Sequence, residues 1–283
     1  MKHIMHAIPS LLNQVIKKTR GLLKLYQLAS ECGLNPLDWW RLKKLPRYKG
    51  GVVSLLGTTI KFVDVTTLLG GLKEIYLDGC YEFNLSNNKS PYIIDCGANI
   101  GLSVLYFKKI YPDAKIVAIE ADPDIFDVLK RNVTNAGLTD VELINAAVWD
   151  SEEQLSFRTE GGSSGRIAMV GDEHKITSIR GVRLRDLLNK KVDLLKIDIE
   201  GAESRVIKDC TENLINVDRI FLEYHSHHRE PQNLAGILEI LQLAGFRYYF
   251  KEAYVPHAPF ISCPTLDGMD LQLNIYAMRQ VQN

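Results

Sequence analysis

Two short runs concentrate the groups able to do acid–base or ion-binding chemistry. The first, Asp198-Ile199-Glu200-Gly201-Ala202-Glu203, places three carboxylates within six residues, directly after the largely apolar run Val192–Ile197. The second, Glu223-Tyr224-His225, ends another apolar run that begins at Arg219. Carboxylates pooled at the end of an apolar strand raise one another's pKa values and are retained mainly where chemistry or a cation needs them. Glu203 would also serve simply as a first-turn acid on a helix. Period-two alternation puts Glu223 and His225 on one side of their strand. If the two runs end neighbouring strands, Asp198, Glu223 and His225 meet. Such a cluster reads either as a general base with its supports, His225 being the neutral base, or as an oxygen-rich cation site in which Asp198 and Glu223 hold Mg2+. His227 and His228 read as loop residues, and no second Cys/His pair has zinc-ligand spacing.

A different chemistry is written upstream. The run Tyr92–Cys96 ends in Asp95-Cys96-Gly97-Ala98-Asn99-Ile100-Gly101. Gly97 permits a tight turn, and Gly101 lets the following helix come close to a ligand. A nicotinamide-dinucleotide fingerprint needs glycine at 99 and 102 as well, where Asn99 and Leu102 stand, so that reading fails at two of three places. S-adenosylmethionine has no pyrophosphate and asks for less glycine. Asp95 would answer its ammonium, directly or through water, and Glu120, 23 residues after Gly97, is placed to accept the ribose hydroxyls. The small pair Ala146-Ala147 would leave a slot for adenine beside Trp149, though a closely packed helix would equally require small residues there.

These residues need a scaffold that brings strand ends together, and the pattern supplies one. Strands are expected at Tyr92–Cys96, Lys115–Glu120, Val141–Ala147, Val192–Ile197 and Arg219–His225, each followed by a helix or turn. The helix over Leu102–Ile110 and one opened by Pro123 and closed by Gly137 are clear examples. Such alternation means a doubly wound α/β fold, a mostly parallel sheet with helices on both faces whose ligands bind beyond the strands' carboxyl ends. Phe246–Glu252 and Leu271–Met278 have no helix between them and are expected as an antiparallel pair at one edge. Shorter β-type runs, Val52–Leu56 and Thr59–Val65, precede this region.

Composition sets the outer bounds. An apolar fraction of 46% with 24% charged residues excludes wholesale disorder or a fibrous chain. No stretch approaches the roughly 18 apolar residues of a transmembrane helix. The first twelve residues lack the apolar core and cleavage site of a secretory signal. The five cysteines are scattered, which suits reduced thiols in a cytoplasmic protein. Total charge balances, but residues 1–50 hold ten Lys/Arg against Glu31 and Asp38, a net of +8, and the rest carries −8. Residues 1–50 are therefore expected as a separate basic helical extension, and 51–283 as the main domain. Ile4, Ile8, Leu11, Leu12, Val15 and Ile16 mark one helix face, followed by Lys17, Lys18, Arg20 and Lys24. Such a segment packs on its own domain, forms a homodimer, or makes peripheral contact with an anionic membrane.

The run from Tyr92 to His225 resembles the FkbM-type S-adenosylmethionine-dependent methyltransferases, a branch of the class I methyltransferase, Rossmann-like fold. The matching pieces are Ile94–Gly101, Ala118–Pro123, Asn145–Val148, Val182–Leu188, Asp193–Glu203 and Leu222–His225, in that order. The resemblance implies a seven-stranded sheet with an antiparallel last strand and methyl transfer to a hydroxyl oxygen of a sugar, polyketide or other metabolite. By position it implies that Asp95, Gly97, Asn99, Glu120 and Ala147 serve the cofactor, while Asp198 and Glu223 face the transferred methyl. Arg183 departs from the small hydroxyl residue often found at its place. The basic first fifty residues lie outside the resemblance.

Two further features and two rival functions complete the reading. Gly161-Gly162-Ser163-Ser164-Gly165, between Leu155–Phe157 and Ile167–Met169, reads as the tip of an inserted hairpin, a lid or a surface ribbon. Tyr254–Asp270, with Pro256, Pro259 and Pro264, is a long loop. A nucleic-acid amino-methyltransferase would carry an Asn- or Asp-Pro-Pro-aromatic motif where Asp198-Ile199-Glu200-Gly201 stands, and a net-acidic main domain repels phosphate. The expected partner is a small-molecule or glycan acceptor, not nucleic acid. The runner-up is a non-catalytic module that binds S-adenosylmethionine or recruits a partner.

Overall fold

A computed structural model describes residues 23, 26–28, 30–85, 88–159, 165–167 and 176–279. The chain divides into two compact units, Met1–Glu82 and Phe83–Asn283. The boundary thus falls well after the Gly50-Gly51 position suggested by charge. The turn glycines open a hairpin that groups with the first unit.

In that first unit, α1 (Pro36–Leu42) begins where Asn35 accepts a hydrogen bond from Leu37 N, with Pro36 at the first helical position. Asn35-Pro36 therefore starts a helix. The hairpin of β1 (Gly51–Leu55) and β2 (Thr58–Phe62) turns through Leu56 and Gly57, both at positive φ. Residues up to Val65 were expected to extend the second strand. Asp64 instead caps α2 (Val65–Gly71) through Thr67 N, ending extended structure. The amphipathic stretch 4–16 and Lys17, Lys18, Arg20 and Lys24 lie outside the described residues. Among the described residues, no helix is long and apolar enough to cross a membrane.

The second unit is built on a seven-stranded sheet. Its strands are β3 (Tyr92–Cys96), β4 (Lys115–Glu120), β5 (Val141–Asn145), β10 (Leu194–Ile197), β11 (Arg219–His227), β12 (Phe246–Tyr254) and β13 (Met269–Arg279). Their spatial order is β12-β13-β11-β10-β3-β4-β5, parallel from β11 through β5. β13 runs antiparallel to both neighbours, between β11 and the edge strand β12. The order reverses between β3 and β10, which puts the carboxyl ends of those two strands at the ligand-binding crevice of such a sheet. The helices α3 (Leu102–Ile110), α4 (Pro123–Asn135), α5 (Leu184–Leu187), α6 (Glu203–Asp209) and α7 (Leu234–Leu243) follow β3, β4, β9 (Ile176–Arg183), β10 and β11. Ile94, Ile119, Leu195, Ile197 and Leu222 from the sheet pack with Val206, Ile207 and Leu241 in one buried core.

The expected strand Val141–Ala147 is two strands. Asn145 turns its side-chain amide to Glu120 O (2.9 Å) and Ala121 O (3.1 Å), and Ala146 N also donates to Glu120 O at 3.2 Å. The chain bends at Ala146 and enters a second sheet with β6 (Ala147–Trp149). There β6, β9 (Ile176–Arg183), β7 (Gln154–Arg158) and β8 (Arg166–Ile167) lie in that order. The inserted hairpin is thus part of a four-stranded sheet, and its tip at 160–164 lies outside the described residues. All five cysteines are free thiols, four of them buried.

Candidate active site

At the end of β3 the backbone itself is the first functional feature. Gly97 has φ +84°, and a Cβ built on it would meet Asp198 O at 1.8 Å. Only glycine lets the ends of β3 and β10 close on each other. Gly97 N and Ala98 N both donate to Ile119 O at 2.9 Å, tying the turn to β4. Asn99 takes a left-handed conformation, φ +48°, which its short polar side chain tolerates. Asn99 N then donates to Glu120 Oε2 at 2.9 Å, and Asp122 N donates to Glu120 Oε1 at 2.8 Å. Burial raises the Glu120 carboxyl to about 7, and the two N–H donors offset part of that rise. Gly101, φ +92°, starts α3 against the Leu129 side chain. The structure therefore brings Gly97, Asn99, Gly101 and Glu120 together at adjoining strand ends. Ala147 is buried with Leu155, Phe157 and Ile179 of the second sheet, so packing of that sheet accounts for its small size.

Asp95 is fully buried and already partnered. Its Oδ2 accepts from the Ser103 hydroxyl at 2.5 Å, and its Oδ1 lies 3.1 Å from Lys196 Nζ. Asp95, expected to answer the ligand ammonium directly or through water, thus has an ion partner and a hydroxyl partner within the protein. Lys196, paired in register with Asp95, also donates to Gly97 O at 2.8 Å and lies 3.5 Å from Asp198 Oδ2. Burial works to discharge this ammonium, but Asp95 and Asp198 more than offset it and hold the lysine above its ordinary range. Sequence reasoning gave Lys196 no role. The available clue was a lysine inside the four-residue apolar core of a central strand, where a charge must be paired.

At the ends of β10 and β11 the acids converge on His225. Glu200 (φ +58°) and Gly201 (φ +108°) turn the chain back, and Glu203 clamps that turn by accepting Gly201 N at 3.0 Å and Ile199 N at 3.4 Å. The same Glu203 Oε1 lies 2.9 Å from His225 Nδ1. His225 Nε2 faces Glu200 at 3.7 Å and Glu223 at 3.8 Å. Burial favours neutral imidazole, but Glu200, Glu203 and Glu223 together outweigh it and hold His225 well above its ordinary value. This upward shift opposes the expectation of a neutral base. Its side chain is 2% exposed, whereas that of Asp198 is 25% exposed. Asp198 is the member of the cluster that meets solvent most.

The donor atoms of Asp198, Glu200 and His225 lie within 4.8 Å of one another, close enough for a cation. One of the three donors is a ring nitrogen, whereas Mg2+ takes oxygen ligands, so this trio is not the Mg2+ site expected of Asp198 and Glu223.

Of the two histidines expected in a loop, His228 lies in a turn and His227 does not. His227 is the buried last residue of β11, its ring beneath Gly201, while His228 is in the following turn and contacts Gly268 O at 2.8 Å. Burial and the nearby Arg166 lower the His227 pKa. Arg183, the unusual residue, ends β9 and makes a two-pronged pair with Asp209 at 2.9 and 2.7 Å, joining the second sheet to the end of α6.

Relatives agree with this architecture. The methyltransferase FkbM domain matches residues 95–248, more than half of the chain and the whole span from Asp95 through the acid–histidine cluster. Methyltransferase sdnD of Sordaria araneosa is 33% identical over 177 residues, covering 50% of this chain and 68% of that protein. Hexuronic acid methyltransferase AglP of Haloferax volcanii is 27% identical, covering 53% of this chain and 62% of that protein. The 2-O-methyltransferase NoeI of Sinorhizobium fredii is 25% identical, covering 56% and 74%. With its glycine turn, its acid-ended strands and its antiparallel last strand all in place, this chain belongs to the FkbM methyltransferase family.

Proposed function

We propose that the protein transfers a methyl group from S-adenosylmethionine to a hydroxyl oxygen of a sugar, polyketide or similar small acceptor. The observation that carries the cofactor reading is Glu120. Its buried carboxylate is fixed by Asn99 N and Asp122 N at the strand end next to the glycine turn, with lone pairs left to accept ribose hydroxyls. The names of two relatives, one specifying hexuronic acid and one a 2-O position, support a sugar-like hydroxyl acceptor.

S-adenosylmethionine would supply an electrophilic methyl on a positively charged sulfur. The chain's own residues would do the rest. Gly97 keeps the turn free of side-chain bulk, and Asp198, the most exposed carboxylate of the cluster, follows the end of β10 where the strand order reverses. A hydroxyl loses its proton only with help near neutral pH. His225, already protonated, is unsuited to take that proton. Glu223 is the proposed acceptor, with His225 Nε2 at 3.8 Å fixing its position and Glu203 fixing His225.

Isothermal titration with S-adenosylhomocysteine and NAD tests the cofactor. The expected result is binding of the first and none of the second. Glu120→Gln should weaken S-adenosylhomocysteine by about 1–3 kcal/mol through lost ribose hydrogen bonds. Unchanged affinity in that variant removes Glu120 from the site.

A further inference from the structure

Four oxygen-bearing groups converge on one buried ammonium where β3 and β10 meet. Lys196 Nζ lies 2.8 Å from Gly97 O, 3.4 Å from Cys96 O, 3.1 Å from Asp95 Oδ1 and 3.5 Å from Asp198 Oδ2. The two carboxylates it touches differ in every other respect. Asp95 is 0% exposed and is also bound by the Ser103 hydroxyl, so its charge is spent within the protein. Asp198 is 25% exposed, stands farther from the ammonium, and follows the end of β10 where the strand order reverses. One lysine thus faces two carboxylates, of which Asp198 is the exposed one.

We infer that Lys196 is a positioning residue that fixes this division of charge and so makes Asp198 a selector for a cationic sulfur over a neutral one. The inference rests on the S-adenosylmethionine reading and deepens it. Before transfer the cofactor carries a sulfonium; afterwards the sulfur is a neutral thioether, because the departing methyl takes no bonding electrons with it. A carboxylate beside that sulfur stabilises the first form and gains nothing from the second. The same geometry assigns the direct cation contact to Asp198 and gives Asp95 the internal role of anchoring Lys196 and α3. Lys196 in turn holds the Cys96 and Gly97 carbonyls, so the turn and Asp198 are aligned by one group.

The test is the ratio of two affinities and needs no acceptor. S-adenosylmethionine and S-adenosylhomocysteine are titrated separately into the full chain near pH 7. Asp198→Asn should weaken S-adenosylmethionine about tenfold or more, the scale of one charge pair at a partly screened site, while S-adenosylhomocysteine changes less than about threefold. Asp95→Asn leaves Lys196 to Asp198 alone, so it should also lower the preference for S-adenosylmethionine, by less than Asp198→Asn does. Lys196→Met leaves Asp95 buried without its counter-ion and is expected to lower stability. The double variant Lys196→Met/Asp95→Asn removes the pair together, and it should prefer S-adenosylmethionine more strongly than the wild type does, since the repelling ammonium is gone. A purely structural lysine would not move that ratio. Equal losses for both ligands in Asp198→Asn, or a larger loss of preference in Asp95→Asn than in Asp198→Asn, overturn the inference. A wild-type chain that binds neither ligand overturns the cofactor reading itself.

Discussion

The ends of β3 and β4 and the ends of β10 and β11 solve different problems with different materials. The first region is mostly backbone. A left-handed glycine, a left-handed asparagine and N–H donors fix one carboxylate, and nearly all its contacts join neighbouring strands or residues a few positions apart. The second region is side chain. Four carboxylates, from the turn after β10, the start of α6 and β11, lie around the imidazole of His225, and Glu200, Glu203 and Glu223 raise its pKa. The first is rigid because its atoms have no room to move. The second is ordered because its charges are mutually dependent, which makes it sensitive to pH and to loss of any one partner.

If this contrast is right, the largest effect should come from the backbone region. Gly97→Ala forces a Cβ into Asp198 O, at a φ that disfavours alanine, and should cost more than about 3 kcal/mol in denaturant unfolding. A variant of wild-type stability would mean that the two strand ends are not in contact.

A smaller but still large loss should follow removal of Glu203, which is 1% exposed and holds both the turn and His225. Glu203→Ala should cost about 3 kcal/mol, as expected when one member of a buried charged pair is deleted. Glu203→Gln keeps an acceptor for Gly201 N and should lose less. Identical losses for the two variants would show that the carboxylate charge has no part.

The side-chain region should also carry the pH dependence. His225 binds its proton more tightly folded than unfolded, so its contribution is complete below the ordinary value of 6.5 and fades as pH rises through the higher folded value. The stability gap between wild type and His225→Gln should therefore narrow as pH is raised from neutral into the alkaline range. A gap that does not change with pH would indicate a neutral His225. The smallest effect belongs to Arg183→Met. It breaks a partly exposed pair with Asp209 and should barely move the unfolding midpoint or S-adenosylhomocysteine affinity.

How much of this could be read from the chain differs between the two regions for the same physical reason. The glycine turn, the acid at 120, the alternation of strand and helix and the paired last strands are local or nearest-strand features. Residue type and spacing determine them directly, because a tight turn admits few residues and a buried strand admits few polar ones. Asp198, Glu223 and His225 were likewise identifiable as neighbours from period-two alternation. Their chemistry was not. Whether His225 is neutral or charged depends on Glu200 and Glu203 arriving at its two nitrogens. Whether Asp95 is open to a ligand depends on Lys196 and Ser103 reaching it first. The break of the expected third strand at Asn145 depends on carbonyls of β4. Each of these outcomes is set by which side chains meet across distant segments, and protonation and hydrogen-bond partners respond to that meeting through burial and Coulomb interaction. Residue order alone carries the groups to the strand ends, and only the packed sheet decides which of them remains charged, which is satisfied, and which still faces the cleft.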